Sequence, residues 1–341
     1  MTNLAFAIQV TPSPSQGFGS EDRATILGSL TDLFLSHPNP TRAESAQFAE
    51  VACGLLPLTR ADIRLRVAER LADYAFTPTA IIDTFLLLDG PECVPLLERS
   101  TCISRASLMK RARDGDPDTA CIIAGRMDLD VALVQCLMMR GDIEILRTLA
   151  RNLLAPLTPD LFRILVADAR YDAPLAKALC ARSRDPLAIA PLFMRATPHQ
   201  RALILRAAWE SETLSTQDCP PSELELSLVR HLERAAEQGA GDEVAWVLSR
   251  LIGCEPIDAK DMLQEPGGEV LALLLSALSA TPQATHRILH ARGISAPRTQ
   301  ERTNDLMQLV RVMPMVTATR LLRTIAGQDP ENTVLRGLPS R

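Results

Sequence analysis

The chain has 341 residues, of which 47% are hydrophobic and only 4% aromatic, and it carries a net charge of −5. That length allows two domains and a core that needs no disulfide staples. The acidic balance argues against a general nucleic-acid binder or a polybasic membrane anchor. No apolar run reaches the roughly 18 residues of a membrane span. A core so poor in rings must be built from Leu, Ala, Ile, Val and Met; Leu and Ala are strong helix formers, so an all-α protein is expected.

The charge is unevenly distributed. Residues 58–206 hold 21 basic and 18 acidic side chains, whereas both flanks are acidic. The eight cysteines form no CxxC pair and sit among aliphatic neighbours, as in "TACIIAG" and "VQCLMM". They read as small buried hydrophobes in a reducing cytoplasm.

Residues 1–22 are rich in Pro, Ser and Gly and lack the charged start and long apolar stretch of a secretory signal. They are expected to be a mobile tail. Residues 24–57 read as two longer helices that cap the N-terminal end of a repeat array. The repeat itself is about 27 residues long. Its marker is an arginine: Arg70, Arg99, Arg126, the Arg151–Asn152 pair and Arg182, at intervals of 29, 27, 25 and 31 residues.

Each repeat reads as helix A, a tight turn, helix B and another turn. Helix A is expected to start near Asp62, Pro91, Asp116, Asp142 and Asp172. Helix B is expected to start near Thr77, Ser104, Asp130, Thr158 and Asp185. Thr, Ser and Asp there can accept from orphan backbone N–H groups as N-caps, and prolines follow several of them. Gly90, Gly115 and Gly141 are expected as left-handed helix ends. Leu65, Val67, Ala68 and Leu71 are the expected core of the first repeat. Val94, Leu96, Leu97, Leu108 and Met109 serve the next, and Ile122, Ile123, Val131, Val134 and Leu137 the third.

Helices this short are marginal alone and must stack. The expected fold is therefore a right-handed α-solenoid of HEAT-like helix pairs over residues 23–214. A linker at 215–221 leads to a smaller helical domain at 222–327, and the chain ends in a tail at 328–341.

The segments "SLTDLFLSH", "IRLRVAERLAD", "CVPLLERSTCISRASLMKRARDGD", "IAGRMDLDVALVQCLMMRGDIEILRTLARN" and "DLFRILVADAR" resemble an alphaproteobacterial family. That family is a domain of unknown function, similar in form to HEAT-type and leucine-rich-variant helical repeats. The resemblance covers about residues 25–295. It implies a helical-repeat fold and a bacterial cytoplasm, and it brings no reaction. At Arg151–Asn152 the family tends to show Asn in place of the repeat arginine.

The candidate site is the arginine row Arg70, Arg99, Arg126 and Arg182. Stacked repeats would align it along one face, where guanidinium forks bind carboxylates or phosphates. The competing reading is structural and favoured: each arginine bonds helix-terminal carbonyls or a capping Asp. His286 and His290 share a helix face, but Arg287 stands where a zinc protease has Glu, and no metal is expected. "EPGGE" at 265–269 lacks the strand and lysine of a phosphate loop and reads as a turn. Asp114, Asp116 and Asp118 read as capping residues rather than a calcium loop. Met138, Met139, Met307, Met313 and Met315 read as core filler. No cofactor is expected. The leading functional expectation is a non-enzymatic cytoplasmic scaffold that binds a protein. The alternative is a nucleic-acid-binding repeat protein of the DNA glycosylase kind.

Overall fold

The computed structural model describes residues 19–212, 223–290 and 299–328. All regular elements among these residues are helical. Of the tail expected over 1–22, residues 20–22 instead open the first helix, with Asp22 accepting from Gly19 N–H at its start. Residues 1–18, the linker at 215–221 and residues 329–341 of the tail expected at 328–341 lie outside the described residues. Two compact units divide the chain, Met1–Leu161 and Phe162–Arg341. The division thus falls well before the boundary expected at 215–221.

The first unit opens with α1 (Ser20–Leu35) and α2 (Arg42–Leu55), the two longer helices expected at the start. Thr41 caps α2: its hydroxyl accepts from Glu44 N–H while Glu44 reaches back to the Thr41 backbone, a reciprocal capping box. Phe34 and Phe48 stack at 4.0 Å between ring centres inside this cap, and both are fully buried.

The repeats come next. Helix A of each is α3 (Ala61–Ala72), α5 (Cys93–Arg99), α7 (Pro117–Ala124) and α9 (Ile143–Arg151); helix B is α4 (Thr79–Leu88), α6 (Arg105–Asp114), α8 (Val131–Met138) and α10 (Pro159–Ala169). Each A helix packs on the A helix of the next repeat, α3 on α5, α5 on α7 and α7 on α9, and α6 packs on α8 in the B row. Helices of seven to twelve residues have no independent stability. Burial supplies it: Ile145, Leu146, Leu149 and Ala150 fill one stripe of α9, each large side chain contributing about 1.5–3 kcal/mol.

The expected caps are largely present. The side chains of Ser104, Asp116 and Asp130 accept from the backbone N–H three residues on. Asp142 occupies its cap position without a side-chain hydrogen bond. Helix α3 is preceded by Arg60 rather than opening at Asp62, and α4 by Pro78 rather than Thr77. Of the three glycines expected to be left-handed, only Gly141 is, with φ +72°. At the end of α4 the left-handed residue is Asp89, φ 51°. At Gly115 the C-cap is extended. Among the expected core residues Val94 is exposed and Leu65 only half-buried. In the short helix α5, Cys93, Pro95, Leu96 and Leu97 turn inward, and at 100° per residue Val94 falls outside that stripe.

The second unit begins within α10, at Phe162, and holds α11 (Ala173–Arg182), α12 (Pro198–Glu212), α13 (Glu223–Gln238), α14 (Gly241–Ile252), α15 (Pro256–Leu263), α16 (Glu269–Ala277), α17 (Pro282–His290), α18 (Gln300–Val312) and α19 (Met315–Ala326). All nine residues of α16 are buried, because α18 and α19 pack on it. The helix expected after Asp185 is a 3₁₀ helix, Leu187–Arg195, with Pro191 inside it. Proline removes an N–H and clashes with the preceding turn of an α-helix. This 3₁₀ segment packs on α11, α12 and α19, which gives residues after 161 partners among the C-terminal helices.

Candidate functional site: a ladder of side chains and a buried charge cluster

The row of arginines is divided: Arg126 is directed into the fold, whereas Arg70 and Arg99 are exposed. Arg126 is 3% exposed. Its Nη1 donates to Leu97 O at 2.5 Å and its Nη2 to Ser100 O at 2.8 Å, the carbonyls that end α5. Its Nε and Nη2 also hold Asp128 at 2.8 and 2.7 Å. Asp128 is in turn kept below the usual carboxylate range, first by the hydrogen bond from Arg126 and then by its charge, against the opposing effect of burial. Helix-terminal carbonyls lack intrahelical donors, and one guanidinium satisfies two of them here.

Asn152 repeats the act one repeat later. Its Nδ2 donates to Ala124 O at 3.0 Å and to Arg126 O at 2.6 Å, at the end of α7. Asn152, not Arg151, is therefore the counterpart of Arg126. Arg99 donates to Glu69 O at 3.4 Å and pairs with Asp73 at 3.1 Å. Arg70 pairs with Asp32. Arg182 lies in the second unit, half-buried and engaged within the fold, and burial lowers the pKa of its guanidinium. Arg126 is thus buried in a structural role, while Arg70 and Arg99 form exposed ion pairs at the surface.

A second row runs through the B helices. Arg111 pairs with Asp89 and donates to Leu86 O at the end of α4. Arg140 donates from Nη1 to Ala112, Arg113 and Gly115 carbonyls at 3.1, 3.3 and 2.8 Å, at the end of α6. These residues lie 22–28 positions downstream of their partners. An alignment on helix A passes over them; the signal that marks them is an Arg in or just after helix B.

The other candidates resolve simply. The rings of His286 and His290 stand 4.4 Å apart, and among the described residues no group of three His, Cys, Asp or Glu is gathered as for a metal ion. Cys93 and Cys180 are buried, and Cys53, Cys102, Cys121, Cys136 and Cys254 are half-buried free thiols. Met139 is exposed rather than core, while Met313 is buried. No described helix is long and apolar enough to cross a membrane.

The "EPGGE" turn is more than a turn. In the second unit Arg201 pairs with Glu265, and its Nη1 stands 3.7 Å from Glu269 Oε2. Glu265 accepts from Gly267 N–H at 2.5 Å and Glu269 N–H at 2.9 Å. Arg302 pairs with Glu269 and donates to Gly267 O at 3.0 Å. Arg201, Glu265 and Glu269 are all buried. Burial, and then the neighbouring Glu269, push the Glu265 carboxyl above the usual range. Burial would raise Glu269 too, but the neighbouring Glu265 and the guanidiniums of Arg201 and Arg302 outweigh it and hold Glu269 low. A Cβ on Gly267 would overlap the Glu269 carboxylate and stand 2.7 Å from Glu265 Oε1, so any larger residue there must displace these carboxylates from their ion pairs. Gly268 supplies the left-handed step, φ +79°, into α16.

Stacked helix pairs tied carbonyl by carbonyl define an all-α helical-repeat protein. Within it, residues 93–219 match a family described as an uncharacterised protein conserved in bacteria (DUF2336). That stretch runs from α5 through α12 and is similar to a domain without an assigned activity. No curated protein and no solved structure matches the chain.

Proposed function

We propose that the protein is a non-enzymatic binding scaffold whose recognition surface is the A-to-B turn edge of the first unit. One observation carries this reading. Phe76, Met127, Leu153 and Leu154, in the turns after α3, α7 and α9, are 48, 79, 72 and 61% exposed. Single exposed apolar residues are ordinary, whereas a set at equivalent turns of three of the four repeats, the turn after α5 alone lacking one, is a contact surface. The ladder beneath it supports the same reading. Asn152 holds the carbonyls of Ala124 and Arg126 just before Met127 and accepts from Leu154 N–H, and Arg126 holds Asp128 just after Met127, so these apolar tips are presented from a rigid base and lose little entropy on binding. The partner that fits is a protein segment with an apolar face.

The test places photo-crosslinking residues at Met127 and Leu153 in cells of the source organism. A single stoichiometric protein adduct from the crosslinker at Met127, lost when Leu153→Glu is added, and from the crosslinker at Leu153, lost when Met127→Glu is added, is the expected result. No adduct at either position, or adducts indifferent to the glutamates, would refute it. The nucleic-acid alternative needs a row of unengaged guanidiniums, and Arg70, Arg99 and Arg126 are engaged with carboxylates or carbonyls. A gel shift at about 50 mM salt, where phosphate contacts are strong, checks it directly.

A further inference from the structure

The charge cluster of the second unit borders a cavity of about 480 Å³. Its polar end is formed by Arg201, Glu269, Arg302 and Asp305, and its apolar wall includes Leu205, Leu306 and Leu309. A volume of this order, mostly apolar with a few polar groups at one end, is the ordinary form of a small-molecule site.

Three groups at that end are incompletely used. Arg201 Nε and Glu269 Oε2 are buried and have no hydrogen-bond partner among the described residues. Arg302 is half-buried and binds through Nε and Nη2, which leaves Nη1 without a partner among the described residues. Asp305 lies three residues along α18 from Arg302, is exposed, and forms no ion pair with it. Arg201 Nε and Glu269 Oε2 are closed to solvent and set the charge of the cavity's polar end, while Arg302 and Asp305 are the groups open to a ligand.

The charges select the ligand. A simple carboxylate would find Arg302 but be repelled by Glu269 and Asp305. A simple amine would find those carboxylates but be repelled by Arg201 and Arg302. A molecule carrying both signs on neighbouring atoms satisfies both sets. We propose that this cavity binds an apolar α-amino acid. Its carboxylate pairs with Arg302 Nη1, its ammonium is held by Asp305 near the charge of Glu269, and its side chain lies against Leu205, Leu306 and Leu309. This inference is independent of the turn-edge scaffold in the first unit.

The test is calorimetric titration of the full chain with L-leucine, with 4-methylpentanoate and 3-methylbutylamine as one-charge analogues. Leucine binds with a millimolar or tighter Kd, and each analogue is weaker by at least about tenfold, the value of one charge-assisted hydrogen bond. Arg302→Ala weakens leucine by a similar factor. Asp305→Asn, at an exposed position that the fold does not depend on, weakens leucine and leaves 4-methylpentanoate unchanged or tighter. No leucine binding at about ten times that concentration overturns the proposal. So does equal binding of leucine and either analogue, or an Asp305→Asn chain that binds leucine as tightly as the parent.

Discussion

Asn152 donates a hydrogen bond to the carbonyl of Arg126 at 2.6 Å, while Arg126 donates to the carbonyls of Leu97 and Ser100 one repeat earlier. Two residues of different chemistry therefore do the same work in consecutive repeats. Each satisfies the orphan carbonyls of the preceding A helix and so fixes the spacing between repeats.

Replacing Arg126 by alanine should be among the most damaging single changes in the first unit. It leaves two buried carbonyls without donors and removes packed side-chain atoms, for a loss of about 3 kcal/mol or more. Lysine should rescue little, because an ammonium lacks the planar fork that serves Leu97, Ser100 and Asp128 together. Urea unfolding of the two variants checks both statements. Equal stability of Arg126→Lys and the parent would contradict the fork argument.

At position 152, aspartate should be worse than alanine although it is closer in shape to Asn. A carboxylate would face the carbonyls of Ala124 and Arg126 with no proton to donate, adding repulsion to the loss of about 1–3 kcal/mol expected from unsatisfied acceptors. Comparative melting of Asn152→Ala and Asn152→Asp at neutral pH gives the order. A reversal would mean that the two hydrogen bonds contribute little.

The Arg126–Asp128 pair also gives a pH dependence. Asp128 has a folded-state pKa below its unfolded value. Its contribution is therefore complete above the usual carboxylate pKa and is lost as pH falls through the lowered folded value. Stability measured from about pH 6 down to pH 2 should fall less steeply in an Asp128→Asn chain than in the parent below about pH 4. Identical slopes would show that Asp128 is not linked to folding.

Two glycines should respond in opposite directions. Gly267→Ala forces a methyl into the Glu265–Glu269 pair and should cost about 2 kcal/mol or more, as overpacking against fixed groups does. Gly28 lies inside α1, where a methyl in place of its hydrogen would meet nothing within 4 Å, so Gly28→Ala should stabilise by about 0.5–1 kcal/mol. Thermal melts of both chains decide it.

Thiol reactivity should follow burial. Burial pushes the Cys180 thiol up to about 11, so little thiolate exists at pH 8. Mass-spectrometric alkylation should label half-buried Cys53 and Cys136 well before Cys180. Early labelling of Cys180 would show that α11 opens readily.

Much of the first unit was legible because its determinants are local. The caps Ser104, Asp116 and Asp130 act on amides three residues away, and the repeat arginines recur at a near-constant interval. Sequence by itself therefore determined most helices of the first unit, their pairing into repeats and part of the ladder, Arg126 and the Arg151–Asn152 position, while Arg111 and Arg140 of the B row escaped it. It could not decide which way those guanidiniums point, since a carbonyl acceptor carries no side-chain signature. Nor could it join Arg201 to Glu265, 64 residues apart, or Arg302 to Glu269, 33 residues apart. Only the packing of α12, α16 and α18 brings those charges together, because burial makes an ion pair depend on neighbours in space rather than in sequence. The exposed row of Phe76, Met127, Leu153 and Leu154 is likewise a tertiary result. Sequence places them between helices, and only the stacking of the repeats leaves them outside the core.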